Sequence, residues 1–311
     1  MIRLGIIGLG HMGRYHATVA QRVTGAALVA LADCDRARLD SSTNVYTTTD
    51  YTKLLPLVDA VIIAVPTAQH YQVAKTCLEQ GRHILLEKPL TPSVDEARSL
   101  AALALQHNRI MHIGHVERFN GAFTDAISLI TQPQLIQCHR IGPFNERTRN
   151  DSVVLDLMIH DIDLLLTLIK EPIVDLQAHG SRVYTQSCDS ASVTIHFSSD
   201  ITAHLIASRV APIKRRTMTI HQADGVIALD FAMQESARTP PFEPSQSSGY
   251  RPAGSPSGRT GVRPTHTSNP LQREQQAFVN AIQAGDTSYD LAHDIRVLEL
   301  TLAIERMANL P

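Results

Sequence analysis

The chain has 311 residues, 43% of them hydrophobic, with 28 Lys and Arg against 30 Asp and Glu and a formal charge of -2. That is enough apolar material for two ordinary domains, and no block of like charge is present to recruit nucleic acid or an anionic membrane, so a small-molecule substrate is the expected partner. Cys34, Cys77, Cys138 and Cys188 are scattered without a CxxC pair, which argues against a disulfide framework or thiolate metal site and fits a reducing, cytoplasmic setting.

The opening run MIRLGIIGLG already reads as a strand, so no leader peptide is expected, and no apolar stretch approaches the roughly 20 residues of a membrane-spanning helix. Short β-rich runs then alternate with helical ones up to residue 118: IRLGII, a helix over 11-22, AALVALAD, VDAVIIAV, a helix over 68-80, HILLE, a helix over 93-107 and RIMHIG. Strand and helix in alternation predict crossover connections and a doubly wound parallel sheet over residues 1-118. Ser93 and Glu96 have the spacing of a capping box at the start of the third helix.

After residue 130 the rhythm changes to a strand over 133-141, a helix near 153-169, and strands at 174-185, 191-198, 201-210, 215-222 and 225-230. Successive strands with short connections predict a second domain, 119-311, of α+β type with a largely antiparallel open sheet. Residues Ser236 to Asn269 are rich in Pro, Ser, Gly and Arg without a hydrophobic period, and read as one long loop, either an active-site cover or a disordered segment. Helices over 271-284 and 290-308 close the chain.

GLGHMG, from Gly8 through Gly10, His11 and Met12 to Gly13, fits G-x-G-x-x-G directly after a strand and at the start of a helix. In that context the first glycine permits the turn, the second lets backbone approach a pyrophosphate and the third lets helix pack on strand. Asp33, twenty residues past Gly13, ends the second strand, where an acid binds the adenosine ribose. A carboxylate there attracts a ribose diol and repels a 2'-phosphate, a like-charge contact of about 1 kcal/mol or more even when partly solvated. NAD is therefore expected over NADP, with Arg36 the nearby cation that works the other way.

Ligands of open parallel sheets sit at the carboxyl ends of the strands. That edge carries Val65, Pro66, Thr67 and His70 of VPTAQH, and Glu87 and Lys88 of HILLEKP, which extend the expected cofactor site towards the nicotinamide. On the apolar helix VVLDLMIHDIDLLL, Asp156, His160 and Asp163 recur at i, i+4 and i+7 and form one polar stripe. A core histidine satisfied by the preceding aspartate would explain an isolated pair. His112 and His115 raise a metal alternative, but strand alternation does not obviously converge these ligands and hydride transfer needs no metal, so none is expected.

GLGHMGRYHA, VPTAQHYQVAKTCLEQGRHILLEKPLTPSVDEA and the D-x-x-x-H of DLMIH together resemble the glucose-fructose oxidoreductase, inositol dehydrogenase and rhizopine-catabolism family of nicotinamide sugar dehydrogenases. The resemblance covers nearly the whole chain. It implies that Lys88, Asp156 and His160 form the catalytic group, that the Lys88-Pro89 peptide is cis, and that the second sheet makes homodimer or homotetramer contacts. GHVERFNGAF is similar to a segment of members related to UDP-N-acetylglucosamine 3-dehydrogenases, with Gly121 in place of the usual proline. That likeness would put Arg118 and Asn120 near the sugar or the nicotinamide, beside Asp163, and make the substrate a nucleotide sugar. The expected reaction is oxidation of a secondary alcohol or its reverse. His160 would be the base, Lys88 the alkoxide stabiliser and Asp156 the orienting group, with the roles of Lys88 and His160 open to exchange. Alternatives are an inositol or other polyol dehydrogenase, an imine or double-bond reductase, and a silent NAD-sensing module.

Overall fold

The computed structural model describes residues 1-39, 45-241 and 269-309. They divide into two compact units, Met1–Val116 with Ser268–Glu299, and Glu117–Thr267 with Leu300–Pro311.

The first unit is built on six parallel strands: β1 (Ile2–Ile7), β2 (Ala26–Ala32), β3 (Tyr46–Thr48), β4 (Ala60–Ile63), β5 (His83–Glu87) and β6 (Met111–Gly114). Their spatial order is β3-β2-β1-β4-β5-β6, the doubly wound arrangement the alternation predicts. Residues 4-7 of β1 and every residue of β4 are buried, as a sheet covered on both faces requires. Helices α1 (His11–Ala20), α2 (Thr67–Glu79) and α3 (Val94–Gln106) make the crossovers. Ser93 caps α3 by accepting the Glu96 N–H at 3.3 Å.

The second unit carries β7 (Pro133–Ile141), β8 (Ile173–Ser181), β9 (Ser190–Phe197), β10 (Thr202–Ser208), β11 (Arg215–Gln222), β12 (Gly225–Asp230) and β13 (Glu235–Thr239). The order is β13-β12-β11-β7-β10-β9-β8, antiparallel throughout except for the parallel pair β7 and β10. Alternating burial along β7, β9, β10 and β11 turns one face inward, towards α4 (Gly121–Ala126) and α5 (Ile159–Leu168).

Three expectations are corrected. Ser236 to Thr239 are not loop but the body of β13, paired with Val226 to Leu229, and Asn269 is the N-cap of α6 (Pro270–Ala284); residues 242-268 of the expected loop lie outside the described residues. Residues through Glu299 group with the first unit instead of completing a domain of 119-311. The cause is apolar burial: Phe278 of α6 joins Leu4, Ile6, Leu31, Ile62 and Leu85 in one core. Finally, the helix near 153-169 is not uniformly α-helical, because Val154–Met158 form a π-helical turn ahead of α5.

Candidate functional site

In the glycine turn, Gly8 has φ +91, and a Cβ there would lie 2.6 Å from the Ala64 carbonyl oxygen. A Cβ on Gly13 would lie 1.8 Å from the carbonyl oxygen of Gly8, so α1 can approach β1 only with hydrogen at that position. Gly10 is different: its nearest neighbour would be Arg38 Nη1 at 4.0 Å. Space is left on that side for a ligand to approach the backbone, and α1 begins there with His11 exposed and Met12 half-buried. A turn of this shape, with the positive end of a helix behind it, fits a pyrophosphate.

Asp33 is folded into the same turn. Its Oδ2 accepts the Leu9 N–H at 2.6 Å and its Oδ1 the Asp35 N–H at 2.8 Å, while Arg38 Nη1 lies 3.5 Å from Oδ2. The cation beside the acid is thus Arg38, not the Arg36 that sequence proximity singles out.

At the neighbouring strand ends, Val65 and Thr67 are half-buried and Pro66 exposed, which leaves them reachable by a cofactor. His70 is not: it is 1% exposed, with Nδ1 2.8 Å from the Pro89 carbonyl oxygen and Nε2 3.0 Å from that of Val65. Both neighbours are carbonyl acceptors and a neutral ring can donate to only one of them; burial lowers the His70 pKa while the carbonyls work the other way.

Glu87 has partners of its own. Its Oε1 lies 2.7 Å from His16 Nε2, and its Oε2 accepts the backbone N–H of Lys88 at 3.2 Å. Gln275 donates from Nε2 to His16 Nδ1 at 2.9 Å, which puts the imidazole proton on Nε2, pointing at Glu87. Burial pushes the Glu87 carboxyl up, but the hydrogen bond from His16, with the charge and backbone N–H of Lys88, outweighs it and holds the group below its ordinary value. Glu87 is therefore an internal anion that fixes the backbone of Lys88. The Lys88-Pro89 peptide is cis, and the Lys88 side chain is half-buried.

In the second unit the sequence stripe splits. Asp156, within the π turn, and His160, in the first turn of α5, are both half-buried. Asp163 is 1% exposed, and both its oxygens accept from Arg118 Nε at 3.0 Å. Arg118 and Asp163 therefore satisfy one another. Asn120 is committed as well: its Oδ1 accepts the Ala122 N–H at 3.1 Å as the cap of α4, and its Nδ2 donates to Glu117 Oε2 at 2.9 Å and to the Phe231 carbonyl at 3.0 Å. Arg118 and Asp163 pair across 45 positions, whereas Asn120 combines two local bonds with one to Phe231.

What sequence reading misses is the device around them. Arg140, 2% exposed, donates to Glu117 Oε1 at 2.7 Å and to Asp161 Oδ1 at 2.8 Å, and its guanidinium stands 5.4 Å over the Phe231 ring. Burial works against its charge, but the two carboxylates raise its pKa above the ordinary arginine value. The pattern β7-in, β7-out marks Arg140 as inward-facing, the one available signal, since an inward arginine demands buried acids. Asp161 and Asp163 flank His160 by one and three residues, so two arginines grip the helix that carries it. Arg216 feels the charge of Asp156 among others, while burial and then Arg140 lower its pKa.

Residues 2-115 match the family model described as the GFO/IDH/MocA oxidoreductase family, NAD-binding Rossmann fold, and residues 112-228 match the GFO/IDH/MocA C-terminal domain. A UDP-N-acetylglucosamine 3-dehydrogenase of Acidithiobacillus ferrooxidans is 32% identical over 295 residues, 91% of this chain and 89% of the relative. A scyllo-inositol 2-dehydrogenase (NAD+) of Bacillus subtilis is 27% identical over 233 residues, 68% of each chain. The solved structure of the Acidithiobacillus ferrooxidans enzyme superposes with a TM-score of 0.89 at 28% identity, covering 99% of this chain and 98% of that one. A Lactobacillus casei scyllo-inositol dehydrogenase with NAD(H) and scyllo-inositol bound shares the fold at a TM-score of 0.79 and 22% identity, covering 99% of this chain and 96% of that one.

Proposed function

We propose, since the chain belongs to the GFO/IDH/MocA oxidoreductase family, that it interconverts a sugar secondary alcohol and its ketone with NAD, at C3 of a UDP-linked N-acetylhexosamine. The observation that carries the cofactor half is the glycine turn with Asp33 hydrogen-bonded into it. NAD supplies the hydride acceptor for the alcohol carbon. His160 takes the hydroxyl proton, Lys88 hydrogen-bonds the oxygen as it gains negative charge, and Asp156 orients the histidine. Glu87 supports this division of labour: anchored by His16, it accepts the Lys88 backbone N–H and holds that stretch of chain in place.

The substrate half rests on the A. ferrooxidans relative and on the GHVERFN segment. That segment also holds α5, Arg118 by donating to Asp163 and Glu117 by accepting from Arg140, which binds Asp161. The half-buried outer face of the seven-stranded sheet supports a homodimer or homotetramer, and four free thiols suit a reducing cytoplasm. Among the described residues no helix is long and apolar enough to cross a membrane.

Absorbance of NADH, followed with UDP-N-acetylglucosamine, a UDP-uronic acid, myo-inositol and free glucose, tests the reading. Turnover of UDP-N-acetylglucosamine above the rest is expected. Activity on inositol alone would replace the substrate and keep the chemistry. Reduction of imines with none of the alcohols oxidised would remove both.

A further inference from the structure

We infer that Arg38 and Arg14 form an anion subsite beside Asp33 that takes a phosphate monoester on the adenosine ribose, so that the chain accepts NADP as its weaker cofactor and Arg38 sets the margin. The inference rests on the nicotinamide-cofactor reading and deepens it.

A cleft of about 490 Å³ opens next to the glycine turn, with Gly10, Arg14, Tyr15, Thr18 and Arg38 among its walls. Its size is within the usual range for small-molecule sites, roughly 300-1,000 Å³. Arg38 ends the short 3₁₀ turn Arg36–Arg38, which Asp35 caps by accepting the Ala37 N–H at 3.1 Å. From there the Arg38 guanidinium stands 3.5 Å from Asp33 Oδ2 and 3.3 Å from Asp35 Oδ2, with 45% of its side chain exposed. Arg14, one turn into α1, is steadied by its Nε donating to the Leu9 carbonyl at 3.2 Å.

The acid that should repel a 2'-phosphate is itself turned inward. The Asp33 side chain is 3% exposed, and its two oxygens are engaged by the amides of Leu9 and Asp35 before any ligand arrives. What the cleft offers a ligand is therefore a backbone turn and two guanidinium groups, whose planar donor forks suit phosphate oxygens. Asp33 still disfavours a second anion through space, so NAD remains ahead, but Arg38 offsets part of that cost. A different function for Arg38 is stacking on the adenine ring, which NAD and NADP share and which would help both alike.

The test uses the full chain and four probes: 5'-AMP and 2',5'-ADP by calorimetry, NADH and NADPH by fluorescence. Each is titrated into the parent, Arg38→Ala, Arg38→Lys and Arg14→Ala. The parent should bind NADPH measurably but more weakly than NADH. Loss of a charge-assisted contact corresponds to about tenfold or more, so Arg38→Ala should weaken 2',5'-ADP and NADPH by that much. The change for 5'-AMP and NADH should stay below about threefold, with Arg38→Lys intermediate and Arg14→Ala a weaker copy of Arg38→Ala. Equal losses on both members of each pair would overturn the subsite in favour of stacking. No binding of 2',5'-ADP or NADPH to the parent would overturn it outright. Failure of NADH to bind the parent would instead remove the nicotinamide reading, while the 2',5'-ADP titration still decides for or against the subsite.

Discussion

At the carboxyl edge of β1, β2 and β5, the groups that matter are held by backbone amides and by one ring: amides of Leu9 and Asp35 on Asp33, and the ring of His16, itself gripped by Gln275, on Glu87. Around α5 the same task falls to full charges, with Arg140 bound to Glu117 and Asp161, and Arg118 to Asp163. The first region joins residues 24, 71 and 259 positions apart through single hydrogen bonds. The second joins residues no more than 45 positions apart, but as paired charges in a place where any unpaired member is costly. One arrangement aims a lysine by fixing its backbone; the other aims a histidine by fixing its helix.

The contrast predicts unequal tolerance. Arg140→Ala leaves Glu117 and Asp161 buried without their cation and should cost about 3-5 kcal/mol, the scale for breaking a buried ion pair from one side. Denaturant unfolding of the variant would measure it. A loss below about 1 kcal/mol would mean that water reaches the cluster and that the clamp is not charge-driven.

Acid should separate the two regions as well. In the first unit His83 accepts the Ile110 N–H at 3.0 Å through Nδ1, and burial, followed by the charge of Arg109, lowers its pKa from 6.5 to about 4. A folded value below the unfolded one stabilises the fold above pH 6.5, and the benefit is lost as pH falls from 6.5 through about 4. At 1.36 kcal/mol per unit, reduced for partial exposure, about 2 kcal/mol should disappear over that window. His83→Asn should flatten the loss, as read from unfolding curves at pH 7, 5.5 and 4. Arg140 stays charged throughout, while burial raises the pKa of its partner Asp161, so that carboxyl works against the acid loss instead of adding to it.

The smallest effect belongs to Gln275→Leu, which takes the donor from His16 Nδ1 and should cost about 1 kcal/mol in unfolding experiments. The strand-end geometry relies on several such weak contacts, so no single one should rival Arg140.

The same contrast explains what could be read from the sequence. Period-2 and period-3.6 patterns, and glycines at Gly8, Gly10 and Gly13, are local signals, and both sheets and the glycine turn were legible from them. Ser236 to Thr239 were not, because Pro240, Pro241 and the Ser-rich run beyond them mask a five-residue edge strand. The π turn at Val154–Met158 has no period of its own to betray it. Polar residues on an apolar helix advertise that something is needed, not whether a ligand or another side chain supplies it. Asp163 resolved one way, into Arg118, and a side-chain partner 45 residues away leaves no trace in local spacing. Glu87 and His70 lie at the cofactor edge by chain position, and their side chains take partners that local spacing does not show.

The central claim is that Lys88 and His160 handle the proton while NAD takes the hydride. Its most direct test is kcat for NADH formation on the preferred sugar alcohol, for the parent, Lys88→Ala and His160→Ala, with NADH affinity measured on the same preparations. Each variant should lose about 10²-fold or more in kcat, the usual scale for removing general acid-base help, while NADH affinity changes less than about threefold. Unchanged kcat in both variants, with the parent active, would contradict the assignment of either residue to the chemistry.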